Sequence, residues 1–409
     1  MLDRAAGESV IDSGYAWFRL AVSVLLSTVG GVGMWSVVVV LPAVQAEFGV
    51  ARATASFPYT LTMMGFATGG LLMGRLIDRY GIVRPVLGAI CALSAGYVAS
   101  GLVASLWQFA LVQGLLIGVG SSATFGPLIA DVSLYFKRRR GTAVAICASG
   151  NYLAGAVWPP IIQHFTAEAG WRHTQVGVGV ACFAIMVPIL LLLRGRAPRQ
   201  QAPAQTALQQ GKIAMLRLSP GQLQALLAIA AVGCCVAMAM PQVQMVAYCG
   251  DLGYGVARGA QLLSMMLALG IVSRIASGIV ADRLGGVATL LIGSTMQAAA
   301  LVLYATSNAL TSLYVITALF GLFQGGIVPS YAIIVREYFP AQEAGARVGA
   351  VLMASLFGMA LGGWMSGAIY DATGSYTAAF INGVAWNLMN IVMIGWLWGR
   401  SRQRQVVAA

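Results

Sequence analysis

Charge is scarce in this 409-residue chain. Asp, Glu, Lys and Arg make up 9% of it, against 59% apolar residues, whereas an ordinary soluble domain is about 25% charged. So few charges cannot cover a water-facing surface. That excludes a soluble globular protein, a disordered chain and a disulfide-built secreted fold. Histidine is nearly absent: His164 and His173, nine apart without acids beside them, do not read as a metal site. The six cysteines (Cys91, Cys147, Cys182, Cys234, Cys235, Cys249) lack metal-ligand spacing and read as small packing residues. No nucleophile–base pair, phosphate loop or intramembrane acid pair stands out, so neither an enzyme nor a cofactor is expected. Strict polar–apolar alternation is missing too, which disfavours a transmembrane barrel. Asp3, Glu8 and Asp12 precede the first apolar run, a poor match to a cleaved signal peptide.

What is present is a series of long apolar runs, with a mean hydropathy of +0.82. A window of about 19 residues predicts twelve transmembrane helices. They cover 18–41, 56–77, 85–104, 107–130, 141–165 and 171–193, then 221–247, 256–280, 286–306, 309–335, 347–370 and 376–398. The polar stretch 195–220 reads as a linker between an N-terminal six-helix bundle (1–194) and a C-terminal one (221–409). Trp158-Pro159-Pro160 is expected to break the fifth span.

The net charge of +12 invites a nucleic-acid reading, but its placement argues against one. With both termini in the cytoplasm, the inner side holds Arg4, Arg19, Arg75, Arg79, Arg84, the run Lys137–Arg140, Arg194, Arg196, Arg199, Lys212 and Arg217. It also holds Arg283, Arg336, Arg347, Arg400, Arg402 and Arg404. Only Arg52, Arg172 and Arg258 fall outside, and Arg274 lies within a span. This is the positive-inside asymmetry of a multi-pass membrane protein.

The halves repeat each other. Gly74-x-x-x-Asp78-Arg79-x-Gly81 follows the second span, and Gly278-x-x-x-Asp282-Arg283-x-Gly285 follows the eighth. Pro127 matches Pro329, Tyr135-Phe136 matches Tyr338-Phe339, and Gly141 matches Gly345. A parallel repeat of two six-helix bundles implies a central cavity exposed alternately to each side. Over its whole length the chain resembles a major facilitator superfamily transporter, whose signature is the Gly-x-x-x-Asp-Arg-x-Gly element. By resemblance, Asp78, Arg79, Asp282 and Arg283, with their flanking glycines, form an inner gating latch.

Three stretches resemble the monocarboxylate and oxalate/formate branch. They are Asp12-Ser13-Gly14-Tyr15-Ala16-Trp17, Tyr135-Phe136-Lys137-Arg138-Arg139-Arg140-Gly141-Thr142-Ala143 with Gly150 and Gly155, and Met34-Trp35-Ser36-Val37 before Leu41-Pro42. Ser13 and Ala16 stand where the family pattern has glycines. Two motifs of proton-driven drug antiporters are missing, which puts export of a drug-like or amphipathic metabolite second.

Arg274 is the most informative residue. An arginine inside a span is costly and should face the bundle interior or water. Gly270, Arg274 and Gly278 share one helix face, leaving room beside a fork that suits a carboxylate. Sequence offers no obvious acid as its partner. Resemblance supports the assignment, since the family carries a substrate-binding arginine four residues before the signature glycine. One fixed cation favours a monoanion over oxalate. Trp35, Asn151, Tyr152, Gln324 and Tyr331 are further substrate-binding candidates, each also able to bond a neighbouring helix. Asp251, in Asp251-Leu252-Gly253, resembles an acid of related carriers. It is the proton-coupling candidate, with an outer-gate contact as the competing reading. The expected protein is a monomeric, multi-pass carrier of small organic anions in the inner (plasma) membrane, by symport if a proton accompanies the anion.

Overall fold

A computed structural model describes residues 11–194 and 218–408, leaving aside the side chains of Asp78, Arg140, Ala341, Gln342 and 402–408. The predicted linker therefore falls almost wholly outside the described residues. All regular structure described is helical. Among the described residues, eleven helical stretches are long and apolar enough to cross a membrane, including Gly14–Phe48, Trp171–Leu191, Pro220–Asp251 and Val256–Leu284. They coincide with predicted spans. The fifth span is the 30-residue helix Arg140–Ala169, long enough to cross at about 1.5 Å per residue. Its apolar character is thinned by Ser149, Asn151, Gln163, His164 and Thr166.

Pro159 and Pro160 do not break this helix, contrary to expectation. A proline has no N–H and releases the carbonyl four residues earlier. Pro160 thus frees the oxygen of Ala156, which accepts a short hydrogen bond from the Ser264 hydroxyl of the eighth span. Trp158 Nε1 donates to Thr28 O at 2.9 Å, tying the same region to the first span. With the orphan carbonyl satisfied, helical geometry persists.

The fourth and tenth spans, predicted as continuous, are interrupted instead. The fourth passes through a π-helical turn at Gln113–Gly118 and stops before the helix Gly126–Tyr135. The tenth stops after Gln324 and restarts at Ile327–Tyr338. Pro127 and Pro329 both sit in the first turn of the restarted helix, where a missing N–H costs nothing. Both segments then end on an extended, fully buried phenylalanine, Phe136 or Phe339. The sequence repeat is thus a structural repeat of interrupted helices.

The chain forms two compact units. The first comprises Met1–Gln200 with Met245–Ala268, the second Gln201–Gln244 with Leu269–Ala409. Within the first, the second and fourth spans approach until backbone meets backbone, because a Cβ at Gly65 would collide with the Gly114 carbonyl. Gly65→Ala should therefore cost about 1–3 kcal/mol through overpacking. The check is a lower midpoint of thermal unfolding in detergent, and an unchanged midpoint would contradict the close approach. The second unit is built on an apolar core that includes Leu227, Ala231, Met238, Leu290, Ile334, Val335, Phe339 and Ile394. Five of the six cysteines are buried and all six are free, with Cys91 exposed.

Candidate functional site

Arg274 lies in the second unit on the helix Val256–Leu284 and is 7% exposed. Its Nε donates to the carbonyl oxygen of Gly325 at 3.3 Å. Gly325 occupies the interruption of the tenth span, where the broken helix leaves carbonyls without intrahelical donors. Glycine is needed there: a Cβ at 325 would run into the Gly270 carbonyl and Ser273. On the other side of Arg274, a Cβ at Gly278 would meet nothing within 4 Å. The guanidinium is therefore anchored through Nε at a crowded crossing of the eighth and tenth spans.

The other candidates are divided between the two units. In the second, Gln324 precedes Gly325 in the chain and is fully buried. Tyr331 is placed otherwise. It lies in the core of the second unit, where its hydroxyl donates to Asn390 Oδ1 at 2.7 Å. Asn390 Nδ2 in turn reaches Ser294 Oγ at 2.8 Å. Tyr331 thereby serves helix–helix bonding, the second role open to it. Trp35, Asn151 and Tyr152 belong to the first unit and are all buried. Trp35 Nε1 donates to Asn151 O at 3.2 Å, and Asn151 Nδ2 contacts Met34 Sδ. A Cβ at Gly155 would collide with Leu267 and press on the Trp35 indole, so the first, fifth and eighth spans meet here.

Asp251 ends the helix Pro220–Asp251 and pairs with Arg52 Nη2 at 3.0 Å. Its side chain is 36% exposed while that of Arg52 is 7% exposed, so one partner faces solvent and the other does not. His164, contrary to expectation, does have an acid beside it: Glu168, one helical turn on, at 3.3 Å. The i, i+4 spacing on one helix face produces that pair.

Of the gating residues, Gly81 and Gly285 have a clear backbone reason. Their φ angles of 75° and 81° lie in the left-handed region that favours glycine. Gly74 and Gly278 are not points of close helix approach, since a Cβ at either meets nothing within 4 Å. Arg79 is exposed with its guanidinium 5.3 Å from the Tyr80 ring, and Asp282 and Arg283 are both exposed. The Asp78 side chain is outside those described.

Sequence reasoning missed the strongest electrostatic feature. Arg19, assigned only to topology, is 1% exposed and forms a two-pronged ion pair with Asp131. Nε reaches Oδ2 at 2.7 Å and Nη2 reaches Oδ1 at 3.0 Å. Nη1 donates to Leu193 O at 3.0 Å and Tyr15 Oη at 3.3 Å, and the guanidinium sits 4.5 Å from the Tyr135 ring centre. A planar fork is the side chain that can hold two oxygens of one carboxylate and still bond elsewhere. Asp131 is therefore committed to Arg19.

Around this pair the first two of the three signature stretches come together. Asp12 accepts from the backbone N–H groups of Lys137 at 3.2 Å and Arg138 at 3.0 Å. Its own N–H donates to Tyr135 O at 3.0 Å. Trp17 packs edge-on against Phe136, with ring centres 5.1 Å apart. Ser13, a departure from the family pattern, caps the first helix by accepting from the Ala16 N–H.

Comparisons with known proteins agree with this architecture. The family model described as "Major Facilitator Superfamily" matches residues 24–312 and 275–408. "Monocarboxylate transporter 13" of Bos taurus is 28% identical over 80% of this chain and 75% of that protein. "Monocarboxylate transporter 12" of Homo sapiens is 24% identical over 93% and 80%. "MFS-type transporter pynF" of Aspergillus niger is 26% identical over 77% and 71%. A solved structure of a bacterial homologue of the human lysosomal transporter Spinster shares the fold. Its TM-score is 0.73 at 14% identity, with 96% of this chain and 98% of that one covered. Twelve helical spans, a duplicated signature turn and these matches lead to one conclusion: the chain belongs to the major facilitator superfamily and is a multi-pass membrane transporter, not an enzyme.

Proposed function

We propose that the protein is a secondary active transporter that moves small organic monocarboxylates by alternating access, with a proton as co-substrate. One observation carries the reading: a guanidinium buried in the eighth span, with its Nε on the Gly325 carbonyl at the break of the tenth. A planar fork of this kind suits the two oxygens of a carboxylate. The names of the relatives from Bos taurus and Homo sapiens support the same class. A proton carried with the anion cancels its charge, whereas an uncompensated anion entering against the membrane potential works against about 2.3 kcal/mol per 100 mV. The basic-residue asymmetry supports cytoplasmic termini in the inner (plasma) membrane. The duplicated Asp-Arg turns support an inner latch.

The test is uptake of labelled carboxylates into proteoliposomes, with and without an inward proton gradient. Stimulation by the gradient is the expected result. Transport of a neutral amphipathic solute, indifferent to Arg274, would favour the export reading instead.

Asp251 is our candidate for the proton site. Its carboxylate pairs with Arg52 Nη2 at 3.0 Å. Asp251→Asn keeps an oxygen for Arg52 but cannot titrate. Uptake should then lose its response to the proton gradient, while exchange of labelled for unlabelled acid, which needs no net proton movement, continues. A variant still driven by the gradient would place proton coupling elsewhere.

A further inference from the structure

Next to Arg274, the second unit buries polar atoms whose hydrogen-bonding capacity is unmet. Gln242 follows Pro241 in the seventh span, and Gln324 closes the first segment of the tenth. Gln242 Nε2 donates to Gln324 Oε1 at 2.8 Å. The two residues are 2% and 0% exposed. That single bond leaves Gln242 Oε1 as an acceptor and Gln324 Nε2 as a donor, both buried and without a partner. The hydroxyl of Ser273, one residue before Arg274, is in the same condition.

These groups share one junction. Gln324 is bonded through the chain to Gly325, whose oxygen holds Arg274 Nε. Ser273 packs against Gly325 so closely that a Cβ there would come within 2.9 Å of its own. The seventh, eighth and tenth spans therefore bring together a guanidinium, a hydroxyl and two half-used amides.

A purely structural contact is a poor explanation. An unmet amide group in an apolar interior is destabilising, and two apolar side chains of similar shape would serve packing better. A spare donor and a spare acceptor beside a cation have the chemistry of a recognition element.

We infer that Gln242 and Gln324 are specificity-determining residues that read a hydrogen-bonding substituent, a hydroxyl or a carbonyl oxygen, close to the substrate's carboxylate. The inference rests on the assignment of Arg274 to that carboxylate. An acid with such a group satisfies the amides that are otherwise left unmet, while a plain alkanoate leaves them unmet and is disfavoured for that reason.

The experiment compares propionate with 2-hydroxypropionate and butyrate with 3-hydroxybutyrate, using the full chain in proteoliposomes. The wild type is expected to prefer the hydroxylated acid by about tenfold or more in kcat/KM. Gln242→Met and Gln324→Met, singly and together, should collapse that ratio toward one. Thermal unfolding accompanies each variant: a single change strands the partner amide and should lower the midpoint, while the double variant removes both and should leave it equal or higher, whereas a structural bridge would lower it in the double variant too. A wild type without preference, variants that keep the preference, or a double variant that loses stability would overturn the inference. Arg274→Ala separates the two levels. If it spares carboxylate uptake, the underlying reading fails. If it abolishes uptake of both acids while the glutamine variants keep the ratio, only the amide inference fails.

Discussion

Arg274→Ala should reduce carboxylate uptake by two to three orders of magnitude, as an estimate of about 3–4 kcal/mol of lost interaction. Truncating one partner of a buried, hydrogen-bonded charge pair costs about 2–5 kcal/mol, and the carboxylate would be left desolvated opposite no cation. Arg274→Lys keeps the charge on a single point donor but loses the planar fork, so an intermediate loss is expected. The protein should survive both changes. The bond from Arg274 to Gly325 O, at 3.3 Å, is of the ordinary kind worth about 1 kcal/mol. The measurements are initial uptake rates in proteoliposomes together with a detergent melting curve. Normal uptake by a folded Arg274→Ala protein would remove the carboxylate assignment and leave the transporter fold untouched.

The second large effect concerns stability. Arg19→Met and Asp131→Asn should each destabilise the protein by about 3–5 kcal/mol, because either change strands a buried group without its partner. The Arg19 and Asp131 side chains are 1% and 6% exposed, so water cannot take the missing partner's place. The double variant Arg19→Met/Asp131→Leu should recover much of the loss, since replacing a whole buried pair by apolar groups is close to neutral. Recovery should be incomplete, because the bonds from Arg19 to Leu193 O and Tyr15 Oη are gone in both cases. Arg19→Lys should not restore stability, as one ammonium cannot span two carboxylate oxygens and a carbonyl in that geometry. The midpoint of thermal unfolding of solubilised protein reads all four variants. Single variants that melt with the wild type would show the pair to be energetically idle.

How far the site was legible differs from residue to residue. Arg274 was readable because a charge in an apolar run is an anomaly in one dimension. Gln324 was readable for the same reason, as a polar residue in the span Leu310–Gln324. Gln242 carried an equal signal beside Pro241 but has a second glutamine two positions on. Nothing local separates the amide that meets Gln324 from the one that meets Ser366. Trp35, Asn151 and Tyr331 looked alike in sequence. The fold distinguishes them, bonding Tyr331 to Asn390 within the second unit and Trp35 to Asn151 within the first. The proline pair of the fifth span misled because the rule for proline concerns an unsatisfied carbonyl, and the donor that satisfies Ala156 O is Ser264, 108 residues away.

From its order of residues alone, this protein is a membrane transporter of twelve spans with a duplicated plan. Hydrophobic length, basic-residue asymmetry and an internal repeat are one-dimensional quantities, and they survive any rearrangement of helix faces. Only the tertiary structure decided which polar groups meet. Arg19 finds Asp131 across 112 residues, Asp12 caps the loop at Lys137 and Arg138 from 125 and 126 residues away, and Gln242 reaches Gln324 across 82. The reason is physical: inside an apolar bundle every polar atom must find a partner or bear the cost of lacking one. The partner is set by which helix faces pack together, a choice that composition and spacing do not encode.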